Sequence, residues 1–308
     1  MAKRLLDCTA SDFERMTKGE LLFAMGASEG RVLACETIGK FTPLVGGVSN
    51  AELAAAMGGD VILLNIFDMW TPQVQGLPDC APEDTIRMIK KLTGRPVGIN
   101  LEPVEQGHES EVDTTLWGLT EGRKATRENA LRAADMGVDF VLLTGNPGIG
   151  VTNKAITDTL AVFREAVGDR IILCAGKMHA SGSLTEAGEN IVTKADVKAF
   201  ADAGADIILL PAPGTVPGVT MEQIRDLVGY AHSLGKLTIT AIGTSQEGAD
   251  VDTIKRIALM CKMTGTDIHH IGDSGFTGIA SPEAINAYSV AIRGVRHTYR
   301  RLAMSIKR

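Results

Sequence analysis

Aromatic residues are scarce in this chain of 308 residues. They make up 4% of it, so the core must be built from aliphatic side chains. Positive charge is not in excess either: 31 Lys and Arg stand against 37 Asp and Glu, a formal net charge of -6. Binding to duplex nucleic acid needs a basic footprint, so nucleic acid is not expected as a partner. No apolar run approaches the roughly 18 residues of a membrane span, so no membrane association is expected. The start, Met1-Ala-Lys-Arg-Leu-Leu-Asp7, has basic residues without an adequate apolar stretch behind them, and a secretory signal is not expected. Cysteines are few and scattered (Cys8, Cys35, Cys80, Cys174, Cys261), without CxxC or metal-finger spacing. A reduced, cytoplasmic setting is the expectation. What is plentiful is glycine, at 34 residues, and apolar residues, at 44%. Together they suit many tight turns around a large core.

From Pro43 onward one pattern returns. A short apolar run ends in Gly, Asn, Ser or Asp, and an amphipathic stretch follows. The pattern predicts strands over 44–48, 61–66, 97–101, 140–143, 171–175, 207–210, 237–242 and 268–271. Helices are predicted over 51–58, 83–93, 126–136, 152–167, 193–203, 220–234, 250–264 and 282–304. An internal repeat sharpens the reading. Met57-Gly-Gly-Asp60, Met136-Gly-Val-Asp139, Ala203-Gly-Ala-Asp206 and Thr264-Gly-Thr-Asp267 each join a helix end to an even-numbered strand. Alternating strands and helices imply parallel strands with right-handed crossovers. Eight such units over 43–308 match the usual size of a single (β/α)8 barrel, around 250 residues. A doubly wound sheet is the alternative, but Val48-Ser49-Asn50-Ala51 is not a dinucleotide loop. Residues 1–42 read as an N-terminal helical extension packed on the barrel. It has a helix over 11–25 and a second short one over 31–36, plugging the barrel bottom, or else bringing Ser28 and Arg31 to an active site. The last helix carries Arg293, Arg296, His297, Arg300 and Arg301, read as a solvated face. Its Val290, Val295 and Leu302 offer a face for the barrel or for another subunit of a homo-oligomer.

In such a barrel the active site lies at the C-terminal ends of the strands, and polar residues gather there. Asn65 ends the second strand, Asn100 and Glu102 face inward from the third, and Asn146 follows the fourth. Lys177 follows the buried run Ile171-Ile-Leu-Cys-Ala-Gly176. An ammonium there needs an anion, must lose its proton, or must reach out to water. It could form an imine with a carbonyl substrate or hold a phosphate, carboxylate or enolate. Glu102, kept extended by Pro103, is a candidate general base or metal ligand, or a salt-bridge partner of Lys177. His179 and His270 are candidate proton carriers, whereas His269 has the opposite parity and should pack against helices. Asp68 offers a second carboxylate, so the tentative metal ligands are Asp68 and Glu102. Two late turns, Gly243-Thr244-Ser245 and Gly272-Asp273-Ser274-Gly275, stand where barrels bind phosphate on backbone N–H groups. Asp273 argues against a phosphate beside it unless its side chain points away. The long loop 103–125, with Trp117 and glycines at 107, 118 and 122, and the loops 67–81 and 179–192 would rim the same mouth.

The Gly243-Thr244 and Gly272-Asp-Ser-Gly275 turns resemble those of the phosphate-binding (β/α)8 barrels over about residues 43–308. More narrowly, the stretch His270-Ile-Gly-Asp-Ser-Gly-Phe-Thr-Gly-Ile-Ala-Ser-Pro-Glu283 looks like a bacterial barrel family of unassigned function, some of whose members are labelled phosphoenolpyruvate phosphonomutase-like. Phosphonomutase and isocitrate-lyase barrels use an acidic metal-binding cluster near strands two and three. The resemblance thus implies a role for Mg, with Asp68 and Glu102 as the counterparts; the reactive cysteine loop of the lyases has no match.

The expectation is an enzyme acting on a small phosphorylated or carboxylated metabolite. The reaction would be a lyase, aldolase or isomerase step through an enolate or imine. Lys177, Glu102, His179 and His270 would do the chemistry, and Asn65, Asn100, Asn146, Gly243, Thr244, Gly272, Ser274 and Gly275 would bind substrate. The alternatives are a Mg-dependent mutase or lyase and a non-catalytic metabolite-binding barrel.

Overall fold

The structure, a computed structural model, describes residues 3–105, 118–180 and 183–308; Gly107, Trp117 and Gly182 of the rim loops lie outside the described residues. Eight parallel strands close into a barrel in chain order. They are β1 (Val32–Ile38), β2 (Val61–Asn65), β3 (Val97–Leu101), β4 (Phe140–Leu143), β5 (Ile172–Gly176), β6 (Ile207–Pro211), β7 (Leu237–Ile242) and β8 (Ile268–Ile271). β8 returns to β1 with Ile268 beside Val32. Ahead of the barrel lie α1 (Ala10–Phe13) and α2 (Lys18–Gly26). Around it run α3 (Asn50–Ala56), α4 (Thr85–Thr93), α5 (Arg127–Met136), α6 (Asn153–Val167), α7 (Lys194–Asp202), α8 (Met221–Ser233), α9 (Val251–Thr264) and α10 (Pro282–Ala303). Local chemistry starts most of these helices: the side chains of Ser49, Thr126, Thr152, Thr193, Thr220, Asp250 and Ser281 each accept a backbone N–H of the first turn.

The first strand is not at 44–48. It is Val32–Ile38, inside the segment assigned to the extension, where a short helix was expected. All seven of its residues are buried, so it shows no alternation to read. The 44–48 stretch instead lies in the loop after β1, with Leu44 and Val45 about half exposed. The barrel therefore begins at Val32. The helix expected over 11–25 is two helices, because Thr17 and Glu20 form a capping box that starts α2 afresh.

Side chains from residues 5–25 pack at the bottom of the barrel. Leu5, Cys8, Phe13, Leu21 and Met25 pack with Val32, Val61, Ile207 and Ile268 at the strand starts. Burying five such side chains is worth roughly 1.5–3 kcal/mol each as an upper estimate. Ser28 and Arg31 stay local there: Ser28 Oγ bonds the Ala24 carbonyl and Arg31 pairs with Glu29. On the outward faces of the strands, Ile99, Leu143, Leu173 and Ile208 join the layer shared with the helices.

The four-fold Asp repeat now has a physical account. One oxygen of each carboxylate accepts the N–H of a residue in the preceding odd strand. Asp60 takes Leu33, Asp139 takes Val97, Asp206 takes Leu173 and Asp267 takes Thr238, all at 2.8–2.9 Å. Each also meets a cation or imidazole: Arg293, Lys90, Arg164 and His232 in turn. The repeat thus staples each even strand to its odd neighbour at the bottom. The basic stripe of α10 is corrected by the same contacts. Arg293 and Arg301 are buried on Asp60, and only Arg296 and Arg300 are exposed. Gly294 (φ 72°, ψ 167°) breaks the helix between them. Val295 is exposed, and Ile285, Tyr288 and Ile292 form the buried face instead.

Candidate active site

Inward-facing residues at the C-terminal strand ends line a cavity of about 340 Å³. Glu36 comes from β1, Asn65 ends β2, Asn100 lies in β3 and Glu102 follows it. Thr144 and Asn146 follow β4, His179 follows β5, and Gly243, Glu247 and Asp273 follow β7 and β8. An amide relay crosses the floor. Asn100 Nδ2 donates to Asn65 Oδ1 at 3.2 Å, and Asn65 Nδ2 donates to Asp273 Oδ2 at 2.9 Å. Asp273 Oδ1 accepts the Gly275 N–H at 2.8 Å, so the side chain caps its own turn and still faces the cavity. Asn65 Oδ1 also accepts the Ile66 N–H, which helps hold Ile66 at φ 53°. A β-branched residue rarely adopts that conformation, and such strain gathers at functional sites.

The electrostatics are those of crowded acids. Burial, with Glu36 facing it, pushes the Asp273 carboxyl from an ordinary 3.8 up to about 7. Burial also raises Glu247, again with Glu36 adding to it. Glu102 is raised by burial despite Arg123, whose Nη2 donates to its Oε1 at 2.7 Å. His179 is pushed down by burial and favours the neutral imidazole. Among the described residues, three buried carboxyl or amide oxygens of these side chains have no donor: Asn100 Oδ1, Glu102 Oε2 and Glu247 Oε2.

The residues picked from the sequence separate into groups. Glu102, His179, Asn65, Asn100, Asn146 and Gly243 line the cavity. His270 points inward but lies fully buried beneath it, with Nε2 3.3 Å from Glu36 Oε2. Lys177 does not line the cavity: it shares its parity with Leu173 and Ala175 of the helix-facing layer, and its Nζ is paired with Glu186. The expected Glu102–Lys177 bridge is replaced by Glu102–Arg123. His269 packs outward, as its parity required, between Tyr288 and the Gly30 carbonyl. Thr244 lines an adjoining depression, where its hydroxyl meets the Thr215 carbonyl at 2.8 Å. Gly272, Ser274 and Gly275 form the turn that aims Asp273, and Ser274 is itself left-handed (φ 55°). Glu36 and Glu247 were missed. Glu36 sits in the misread strand, and Glu247 follows a loop whose glycines drew attention to themselves.

Asp68 and Glu102 do not form a metal site. Asp68 Oδ1 accepts the N–H groups of Trp70 and Thr71 and does not line the cavity, while Glu102 is held by Arg123. Among the described residues no group of three or more His, Cys, Asp or Glu side chains is placed to hold a metal ion. No described helix is long and apolar enough to cross a membrane.

A closed eight-strand barrel with titratable groups collected at one mouth defines the class: a (β/α)8 TIM barrel. Within it, the chain belongs to the family defined by the domain of unknown function DUF7916, whose model matches residues 6–308. No curated protein matches the chain. Among solved structures it is similar to a putative phosphonomutase from Burkholderia cenocepacia, at 15% identity over 83% of this chain and 91% of that one, with a TM-score of 0.51. It is similar also to 2,3-dimethylmalate lyase, a PEP mutase/isocitrate lyase superfamily member (14%, 84% and 82%, TM-score 0.49), and to a putative fructose-1,6-biphosphate aldolase from Coccidioides immitis (13%, 93% and 97%, TM-score 0.49). At these identities the likeness shows the fold alone.

Proposed function

We propose that this protein is a lyase or isomerase that moves protons on a small hydroxylated, carboxylated metabolite through an enolate. The observation that carries the reading is Asp273. A carboxyl raised to about 7 inside a cavity is half protonated near neutrality, which is where an acid–base catalyst works best. Asp273 would exchange a proton with the substrate, and Asn65 would hold its direction. Glu36 would take or return the second proton, with His270 beneath it as a positioning residue. The acceptors without donors, Asn100 Oδ1 and Glu102 Oε2, call for a ligand that brings O–H groups. Arg123 at the cavity wall is the side chain of the right charge for a carboxylate. The imine route is not part of the proposal, because Lys177 faces another layer and an internal carboxylate. Nuclear magnetic resonance in deuterated water tests it. The expected result is enzyme-dependent exchange of the proton next to the carbonyl in a panel of small keto and hydroxy acids. Asp273→Asn should slow that exchange by about 10²–10⁴-fold. No exchange in any of them, or an Asp273→Asn variant as fast as the parent, would remove the reading.

A further inference from the structure

The turns after β7 and β8 are the place where barrels of this kind receive a phosphate on backbone N–H groups. In this chain that place is filled from within. A side-chain carbon built onto Gly272 would meet the Glu247 carboxyl at 3.1–3.2 Å. Glu247 is 6% exposed, and its carboxyl is enclosed against the turn that carries Gly272. Two non-glycine residues with left-handed backbone, Ser245 (φ 76°) and Ser274 (φ 55°), shape the two loops around it. Turns of that kind point N–H groups at an anion, and here a carboxyl of the protein occupies the place. The rest of the wall agrees. Glu36, Glu102 and Asp273 face the same cavity.

We propose that Glu247 is a specificity-determining residue: its carboxyl group fills the β7–β8 cradle, so the site excludes a phosphate there and receives a hydroxylated, uncharged part of the substrate instead. Glu247 Oε2, buried without a donor, is the atom that such a hydroxyl would meet. This deepens the reading above and rests on it only for the identity of the pocket. Phosphate is bulkier than a carboxylate and brings like charge to Glu36 and Asp273, so it cannot share the cradle with Glu247.

Inorganic phosphate is the probe, followed by titration calorimetry on the intact chain and by phosphate soaks of crystals. The parent should show no saturable phosphate binding at neutral pH. Glu247→Ala should gain a saturable site, at least tenfold tighter than any residual binding by the parent, with phosphate seated beside Gly272 where the carboxyl was. Glu247→Gln, which keeps the shape and removes the charge, should gain a weaker one and carries the result if the alanine variant does not fold. Phosphate bound by the parent as tightly as by either variant, or no gain in both, overturns the proposal. The readout needs no turnover, so its failure is distinct from a failure of the proton-exchange experiment.

Discussion

At the scale of single residues, the same side chain does different amounts of work at different places in the repeat. Asp60 is fully buried at the bottom. Burial alone would raise its carboxyl, but Arg293 and Arg301 hold it below the usual range. Asp267 occupies the equivalent place in the repeat, yet it is partly exposed and faces His232. Removing a buried ion partner leaves an uncompensated charge and typically costs about 3–5 kcal/mol. Asp60→Ala would strand two guanidiniums, so a loss in that range is expected from urea unfolding. Asp267→Ala loses hydrogen bonds to Thr238 and should cost about 1–2 kcal/mol. Equal losses at the two positions would refute the reading of the repeat as a graded staple.

At the scale of elements, most strands and helices were legible because each announces itself twice, by an apolar run and by a cap or glycine at its end. The Asp repeat was legible as a period, though its hydrogen bonds to the neighbouring strand were not. β1 was not legible: its run Val32-Leu-Ala-Cys-Glu-Thr-Ile38 is buried on both faces, and Glu36 reads as a helix former unless the barrel is known. Missing β1 hid Glu36, and with it the charge that adds to burial in raising Asp273. Lys177 misled for a related reason. Parity was read correctly, but Ile171, Leu173 and Ala175 face the helices, not the lumen. Glu36 therefore supplies an element-level test. Its charge raises Asp273, so Glu36→Gln should lower the Asp273 pKa as followed by carbon-13 resonance titration. An unchanged titration would place β1 away from the mouth.

For the whole molecule, the bottom holds compensated charges and the top holds carboxylates that repel one another, so stability and chemistry are divided between the two faces. Their pH dependences have opposite signs. Asp60, lowered in the fold, contributes stability above its unfolded pKa that is lost as pH falls. Asp273 is raised from 3.8 to about 7, so between those values the folded chain binds the extra proton. Stability must then fall as pH rises through that window and level off above it. At about 1.4 kcal/mol per pKa unit the loss is at most about 4 kcal/mol for this one group. Glu247, also raised by burial, adds in the same direction. Urea unfolding at about pH 5 and about pH 8 should find the parent weaker at the higher value by about 1–3 kcal/mol. Asp273→Asn carries no charge at either pH, so it should shrink that difference and be more stable than the parent at the higher pH while losing activity. A variant with the parent's full pH dependence would mean that the acidic mouth is open to water and holds no raised acid.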